Sequence, residues 1–465
     1  MATASQSDLT TGAIPDHFRR LAVPTAIGMV FTTLYNVVDV FYAGMLSTDA
    51  QAGLAIGFQV FFMLIIASFG MSAAMSALVG NALGRGDGEA ARANAVHGIG
   101  FAVLISALFI AIGQLATPFL IGLISEPGGY RDAATGYLRL LVWGVPIFVL
   151  AHTANGILTA QGDTNTMKQA HIGAFFANLV LNPLLIFGVP GLWNGMGFNG
   201  LAASTLLGQA GATIWVLRKA LRSEVMQGGA RDFRPDWPRY GEIFAQALPV
   251  SFAMMVMMFA GYVIQYFLKG FGGEAVAAYG IALRIEQLLL LPAFGLTGAL
   301  LPIVAQNYGA EKFDRIREAV RYCFRTGVAL MLCASAVLWL AGKTAMGVFT
   351  DDPEVTRIGA SYLAVDGFVL PIYLMLFGIN SLLQAFKKAV WTLWIGIYRQ
   401  GFGVAFFSVI FVRIFDLGVW GVWFGIAVSV LTGFLVSLVI AERISRQLIG
   451  GLFLPLPSGQ AGAAG

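Results

Sequence analysis

Runs of twenty or more mostly apolar residues recur along the whole chain, and a run of that length carries a helix across a bilayer. The alternative is one very large dry core. Of 465 residues, 58% are hydrophobic and 11% charged, whereas a soluble domain averages about 25% charged and soluble cores split beyond about 250–300 residues. Lipid must cover the apolar surface, so the expected fold is an all-α membrane protein. Twelve spans are predicted. Six lie at roughly 19–45, 52–83, 94–124, 133–160, 168–189 and 198–221. Six more lie at roughly 242–270, 276–307, 317–346, 356–386, 391–415 and 418–444. The charged stretch Arg218 to Tyr240 separates the sets. The expected layout is a tail 1–18, a lobe 19–222, a linker 223–241, a second lobe 242–446 and a tail 447–465.

The two sets repeat. Pro24 and Pro249 are 225 residues apart, and the same offset joins Phe69-Gly70 to Phe294-Gly295, Gly84 to Gly309, Tyr137 to Tyr362, Pro146 to Pro371 and Asn155 to Asn380. One offset recurring across prolines, tyrosines and asparagines indicates duplication. An even number of spans per copy starts both copies on the same side of the membrane. The repeats are therefore parallel, with a central cleft of the kind in which secondary transporters bind substrate.

Basic residues set the orientation. Arg19, Arg20, Arg85, Arg92, Lys168, Lys312, Arg315, Arg317, Arg321, Lys387, Lys388, Arg443, Arg446 and the linker bases fall on one side, while the opposite loops are neutral or acidic. By the positive-inside rule both termini and the linker are cytoplasmic; the expected location is the inner cell membrane. The N-terminus lacks the short apolar core of a signal peptide. The excess of 28 basic over 24 acidic residues is too small to suggest nucleic acid. Cys323 and Cys333, the only cysteines, are expected as buried free thiols.

Ionisable groups at membrane depth are costly, about 2.5–3.5 kcal/mol for Asp at a helix centre. Asp39 sits inside the first span, and Thr32, Tyr35, Asn36 and Asp39 share one helical face. Burial disfavours the charged form of a carboxylate. An aspartate reached by water from alternate sides can therefore take up and release a proton. Two plainer readings remain: a hydrogen bond to neighbouring helices, or solvation near the interface. Asn178 and Asn182 share a face of the fifth span, with His171 seven residues back. His152, Asn155 and Thr159 form a stripe on the fourth span, and Thr205 and Gln209 one on the sixth. Such groups often serve only to join helices; several in one lobe favour a polar cavity. In the second lobe Arg284, Glu286, Asp366 and Arg399 form either a structural charge network or a substrate or ion site. Arg284 and Glu286 are two apart and cannot face each other on a helix, so at least one needs a partner elsewhere. Pro24, past the first turn of its span, is read as a kink and hinge.

The first-span proline with "LYNVVDVFYAGML", the loops "ALGRGD" and "NYGAEKFDRIREA", and "NGILTAQGD", "NLVLNPLLIFG" and "AYGIALRIEQLLLLP" together resemble the multidrug and toxic compound extrusion (MATE) family, in its DinF-like branch. The resemblance spans residues 18–445. It implies two lobes forming a V, and a secondary antiporter that exports amphipathic, typically cationic compounds in exchange for H⁺ or Na⁺ by alternating access. By similarity Asp39 is the coupling carboxylate, Pro24 the bend, and Tyr35, Asn155, Asn178 and Thr205 the surrounding polar network. Asn182 stands where that branch commonly has an aspartate, leaving Asp39 to couple alone. The acids that the Na⁺-coupled NorM-like members usually carry in the seventh and tenth spans correspond here approximately to Met257 and Tyr373, which favours the DinF-like branch, and the expected coupling ion is H⁺. No cofactor is expected. The expected partners are small amphipathic substrates and membrane lipids, and the chain is expected to act as a monomer. The alternatives are a Na⁺-coupled antiporter or a flippase for bulky amphiphiles. An enzyme is not expected, because the four histidines are scattered and neither HExxH nor GxSxG occurs.

Overall fold

The computed structural model describes residues 8–124, 128–227 and 234–452; the outer parts of both tails and the middle of the expected linker lie outside them. The regular structure among the described residues is helical, as expected where lipid offers the backbone no hydrogen bonds. The helices of the first copy are α1 (Ile14–Leu46), α2 (Thr48–Gly84), α3 (Gly88–Ile124), α4 (Gly129–Val142), α5 (Val145–Ala160), α6 (Asn165–Phe187) and α7 (Phe198–Leu221). Those of the second are α8 (Trp237–Lys269), α9 (Gly273–Gly309), α10 (Phe313–Gly347), α11 (Pro353–Ala385), α12 (Val390–Gly396), α13 (Val404–Val409) and α14 (Gly418–Ile449). Two π-helical turns, Ile397–Gly403 and Ile410–Ile414, join α12 to α13 and extend it into one span. Among the described residues eleven helical spans are long and apolar enough to cross a membrane, and α4 with α5, taken as one bent span, makes a twelfth. The chain is a multi-pass membrane protein.

Three details differ from the sequence reading. The fourth span, expected as continuous over 133–160, is bent by 48° between α4 and α5. Pro146 explains the break: its ring clashes with the carbonyl four residues back, at Val142, where α4 ends. Next, α1 and α8 begin five residues earlier than expected. In α1 the added residues bury Ile14 and Phe18 almost completely, and the turn that follows carries basic Arg19 and Arg20 but buries Leu21. Hydropathy scores contact with lipid, and these turns are held by protein. Finally, Cys323 is buried but Cys333 is exposed; both are free thiols.

The chain folds as two compact units, and neither boundary falls at the linker. One unit takes residues 24–251; the other takes residues 10–23 and those from 252 onward. The first turns of α1 thus belong with the second copy, and the first turns of α8 with the first. The boundaries coincide with Pro24 and with the residues just after Pro249, both inside helices. In the second unit the chain entering α1 is tied to the turn between α9 and α10. Lys312 Nζ donates to the Thr10 carbonyl at 2.9 Å, Arg315 donates to the Gly12 carbonyl at 2.9 Å, and Phe18 meets Tyr322 with ring centroids 5.0 Å apart.

In the first unit α2 is central, packed by α3, α4 and α5, while α6 pairs with α7. Its apolar core runs through Phe61, Met71, Met75, Leu78 and Tyr137. In the second unit α11 is central, between α9, α10 and α14.

Candidate functional site

Asp39 is 6% exposed, with its carboxylate turned to α6 and α7 rather than to lipid. Asn178 Nδ2 donates to Oδ1 at 2.8 Å and Asn182 Nδ2 to the same oxygen at 3.0 Å. Thr205 Oγ1 lies 3.4 Å from Oδ2. The two asparagines are one turn apart on α6, so both amides reach one point. Asn182 Nδ2 also reaches Asn178 Oδ1 at 3.1 Å, and Asn182 Oδ1 accepts from the hydroxyl of Ser204 on α7. Asn178, Asn182 and Ser204 have no measurable exposure. Tyr35, one turn before Asp39 on α1, is buried beside Asn178, Thr205 and Gln209, and its hydroxyl has no hydrogen-bond partner among the described residues.

The structure therefore brings together Asp39, Tyr35, Asn178, Asn182 and Thr205 from the residues singled out in the sequence. It adds Ser204, which sequence reasoning missed because a serine among "LAASTLLG" gives no contrast. Asn155 lies elsewhere: its Nδ2 donates to Ser72 Oγ on α2 at 3.4 Å. Thr32 and Asn36, on the same stripe as Asp39, are exposed. Thr32 Oγ1 lies 3.2 Å from His171 Nδ1, which is also 3.2 Å from the Gly28 carbonyl. His152 is packed against the ring of Phe69, 4.7 Å between centroids. Pro24 lies within α1 at the boundary of the two units.

The second unit buries Glu286, Asp366 and Arg399, while Arg284 is exposed. Glu286 finds its partner on another span, as the spacing requires: Tyr362 of α11 donates to Oε2 at 2.5 Å. Arg399, in the first π-helical turn, places its guanidinium carbon 5.7 Å from the centroid of the Tyr373 ring.

Chemically, the Asp39 pocket serves a carboxylate. Two amide donors converge on it, their own oxygens engaged with Asn182 and Ser204, and the Thr205 hydroxyl stands at longer range. Protonating Asp39 removes an acceptor and leaves these donors to find new partners.

The comparisons with known proteins agree with this architecture. The MatE family model matches residues 24–184 and again 249–409, the same 225-residue offset found in the sequence. A probable multidrug resistance protein NorM of Thermotoga maritima is 23% identical over 423 residues, covering 89% of each chain. The multidrug export protein MepA of Staphylococcus aureus is 23% identical over 430 residues, covering 91% of this chain and 90% of that one. A solved structure described as MATE in the bent conformation superposes with a TM-score of 0.87 at 25% identity, covering 96% of this chain and 99% of that one. The two family matches span more than two thirds of the sequence, so the chain belongs to the MatE family, whose members are transporters and not enzymes.

Proposed function

We propose that this chain is a secondary active antiporter that exports amphipathic organic compounds, cationic ones included, in exchange for protons. The observation that carries the reading is Asp39: a carboxylate buried at membrane depth, hydrogen-bonded to two amides of α6 in its own unit and paired with no cation among the described residues. Intramembrane acids of this kind mark ion pathways. The multidrug names of the relatives support a broad substrate class. Protonation and substrate binding would each favour a different arrangement of α1 against α6 and α7. An exchange cycle requires such differential affinity for two states.

The same geometry favours H⁺ over Na⁺. A hard cation wants several oxygen ligands, yet Asn178 and Asn182 turn their N–H groups to Asp39. Their oxygens serve Asn182 and Ser204 instead. The distribution of basic loops supports a reading with both termini in the cytoplasm of an inner-membrane protein.

The test is efflux from proteoliposomes under an imposed pH gradient, with a sodium gradient as comparison. Proton-driven transport by the wild type, lost in Asp39→Asn, is the expected result. Gradient-driven transport by Asp39→Asn at the wild-type rate would overturn the reading.

A further inference from the structure

The second unit gathers three ionisable side chains in one buried place, and they do not balance. Glu286 on α9, Asp366 on α11 and Arg399 in the first π-helical turn are 6%, 3% and 7% exposed. Tyr362 bonds Glu286 at 2.5 Å and stands one turn before Asp366 on the same face of α11. Tyr279 of α9 meets Tyr362 edge-on with centroids 5.3 Å apart, and Trp423 of α14 packs against both, 4.9 Å from Tyr362 and 6.0 Å from Tyr279. α9 packs against α11, and Tyr362 ties Glu286 to the face of α11 that carries Asp366 one turn on and, two turns beyond that, Tyr373, on whose ring Arg399 rests. The remaining packed elements add no charge: the buried faces of α10 and α14 carry none.

The arginine is seated. Its stem crosses Gly433 of α14, where a Cβ would lie 2.9 Å from Arg399 Cβ, Cγ and Cδ, and its carbonyl accepts from Ser429 Oγ at 2.5 Å. Its guanidinium rests against the Tyr373 ring rather than on either carboxylate. Asp366 Oδ2 is buried with no hydrogen-bond partner among the described residues.

Two ionised carboxylates and one guanidinium would bury an uncompensated negative charge, which a bundle interior does not tolerate. Glu286 has a donor in Tyr362 and a cation nearby, so its ionised form is served. Asp366 Oδ2 has no donor among the described residues. We propose that Glu286 and Asp366 hold one proton between them at neutral pH, on Asp366 in this conformation. They make a second proton-binding site in the unit that lacks Asp39. When that proton leaves, the pair carries two charges, and Arg399 is the cation placed to answer them by leaving the Tyr373 ring. Its π-helical turn suits that movement, since such turns are local departures from the regular ladder and often sit at functional sites.

The site does not depend on Asp39, and its test is independent of transport. Infrared spectra of the purified protein in nanodiscs, in light and heavy water, report the carbonyl stretch of protonated carboxylic acids directly. At neutral pH the wild type should show such a band from a buried acid. The band should survive in Asp39→Asn and be lost in both Asp366→Asn and Glu286→Gln, because one carboxylate balances Arg399 and needs no proton. Absence of the band in the wild type, or its survival in either second-unit variant, would overturn the proposal. If Asp366→Asn does not yield monodisperse protein, Glu286→Gln, which keeps an acceptor for Tyr362, decides alone.

Discussion

Asn182 turns its amide nitrogen to Asp39 Oδ1 at 3.0 Å and gives its amide oxygen to the hydroxyl of Ser204. One side chain thus links the acid on α1 to α7 by way of α6. Asn182→Ala should take a hydrogen bond from three groups at once: Asp39, which keeps Asn178, Ser204, which keeps the Leu201 carbonyl, and Asn178 Oδ1, which is left without one. An unsatisfied buried polar group costs about 1–3 kcal/mol. Thermal unfolding in detergent should show Asn182→Ala less stable than Asn178→Ala, and both should transport more slowly than the wild type. Equal melting of the two variants would contradict the linkage.

Thr205 is a weaker partner than its position suggests. At 3.4 Å from Asp39 Oδ2 it lies beyond the usual 2.5–3.0 Å of an O–H···O bond, while its hydroxyl reaches the Leu201 carbonyl at 3.0 Å. Thr205→Val should cost about 0.5–1.5 kcal/mol, the net worth of an ordinary hydrogen bond. Initial rates of proton-driven efflux should fall by less than in Asn178→Ala, which deletes the 2.8 Å donor.

Pro24 lies inside α1 where the chain passes from one compact unit to the other. A proline in a helix interior withholds one backbone hydrogen bond and costs about 3 kcal/mol. Pro24→Ala should therefore raise the melting temperature and lower turnover together. Unchanged turnover in a more stable variant would remove Pro24 from the conformational cycle.

Gly70 marks a close approach of α2 to the first turns of α8. A Cβ there would run into the Ser251 hydroxyl and the Ala247 carbonyl. Backbone cannot step aside as a side chain can, so Gly70→Ala should destabilise by about 1–3 kcal/mol, the usual cost of overpacking. The check is the melting temperature of the purified variant, with far-ultraviolet circular dichroism to show that helix content is retained.

The sequence made some of this legible and hid the rest for definite reasons. Asp39, Asn178 and Asn182 stand out because a polar group in an apolar run contrasts with its neighbours, and spacing of four puts both amides on one face. Asn155 contrasts as well, but a stripe shows which face a residue occupies and not which helix it meets; its neighbour is Ser72. Ser204 gave no contrast at all, because serine passes for a small packing residue in a membrane helix. The span containing Arg399 read as uniform, since π-helical turns leave hydropathy unchanged. The 225-residue offset was plain in the sequence, and the family model repeats at it. That each copy surrenders its first helical turns to the other could not be read, because those turns are held by contacts far along the chain.

That exchange of turns bears on how the protein is made. When the ribosome has delivered α7, the first unit still waits for Trp237–Ser251, so its packing can close only after the second copy has begun to emerge. Residues 10–23, by contrast, are the earliest of the second unit to be synthesised and must stay in reserve until α9 and α10 arrive to receive them. A polypeptide severed in the linker would leave two fragments, each carrying a piece of its sibling, and only their joint insertion would restore both.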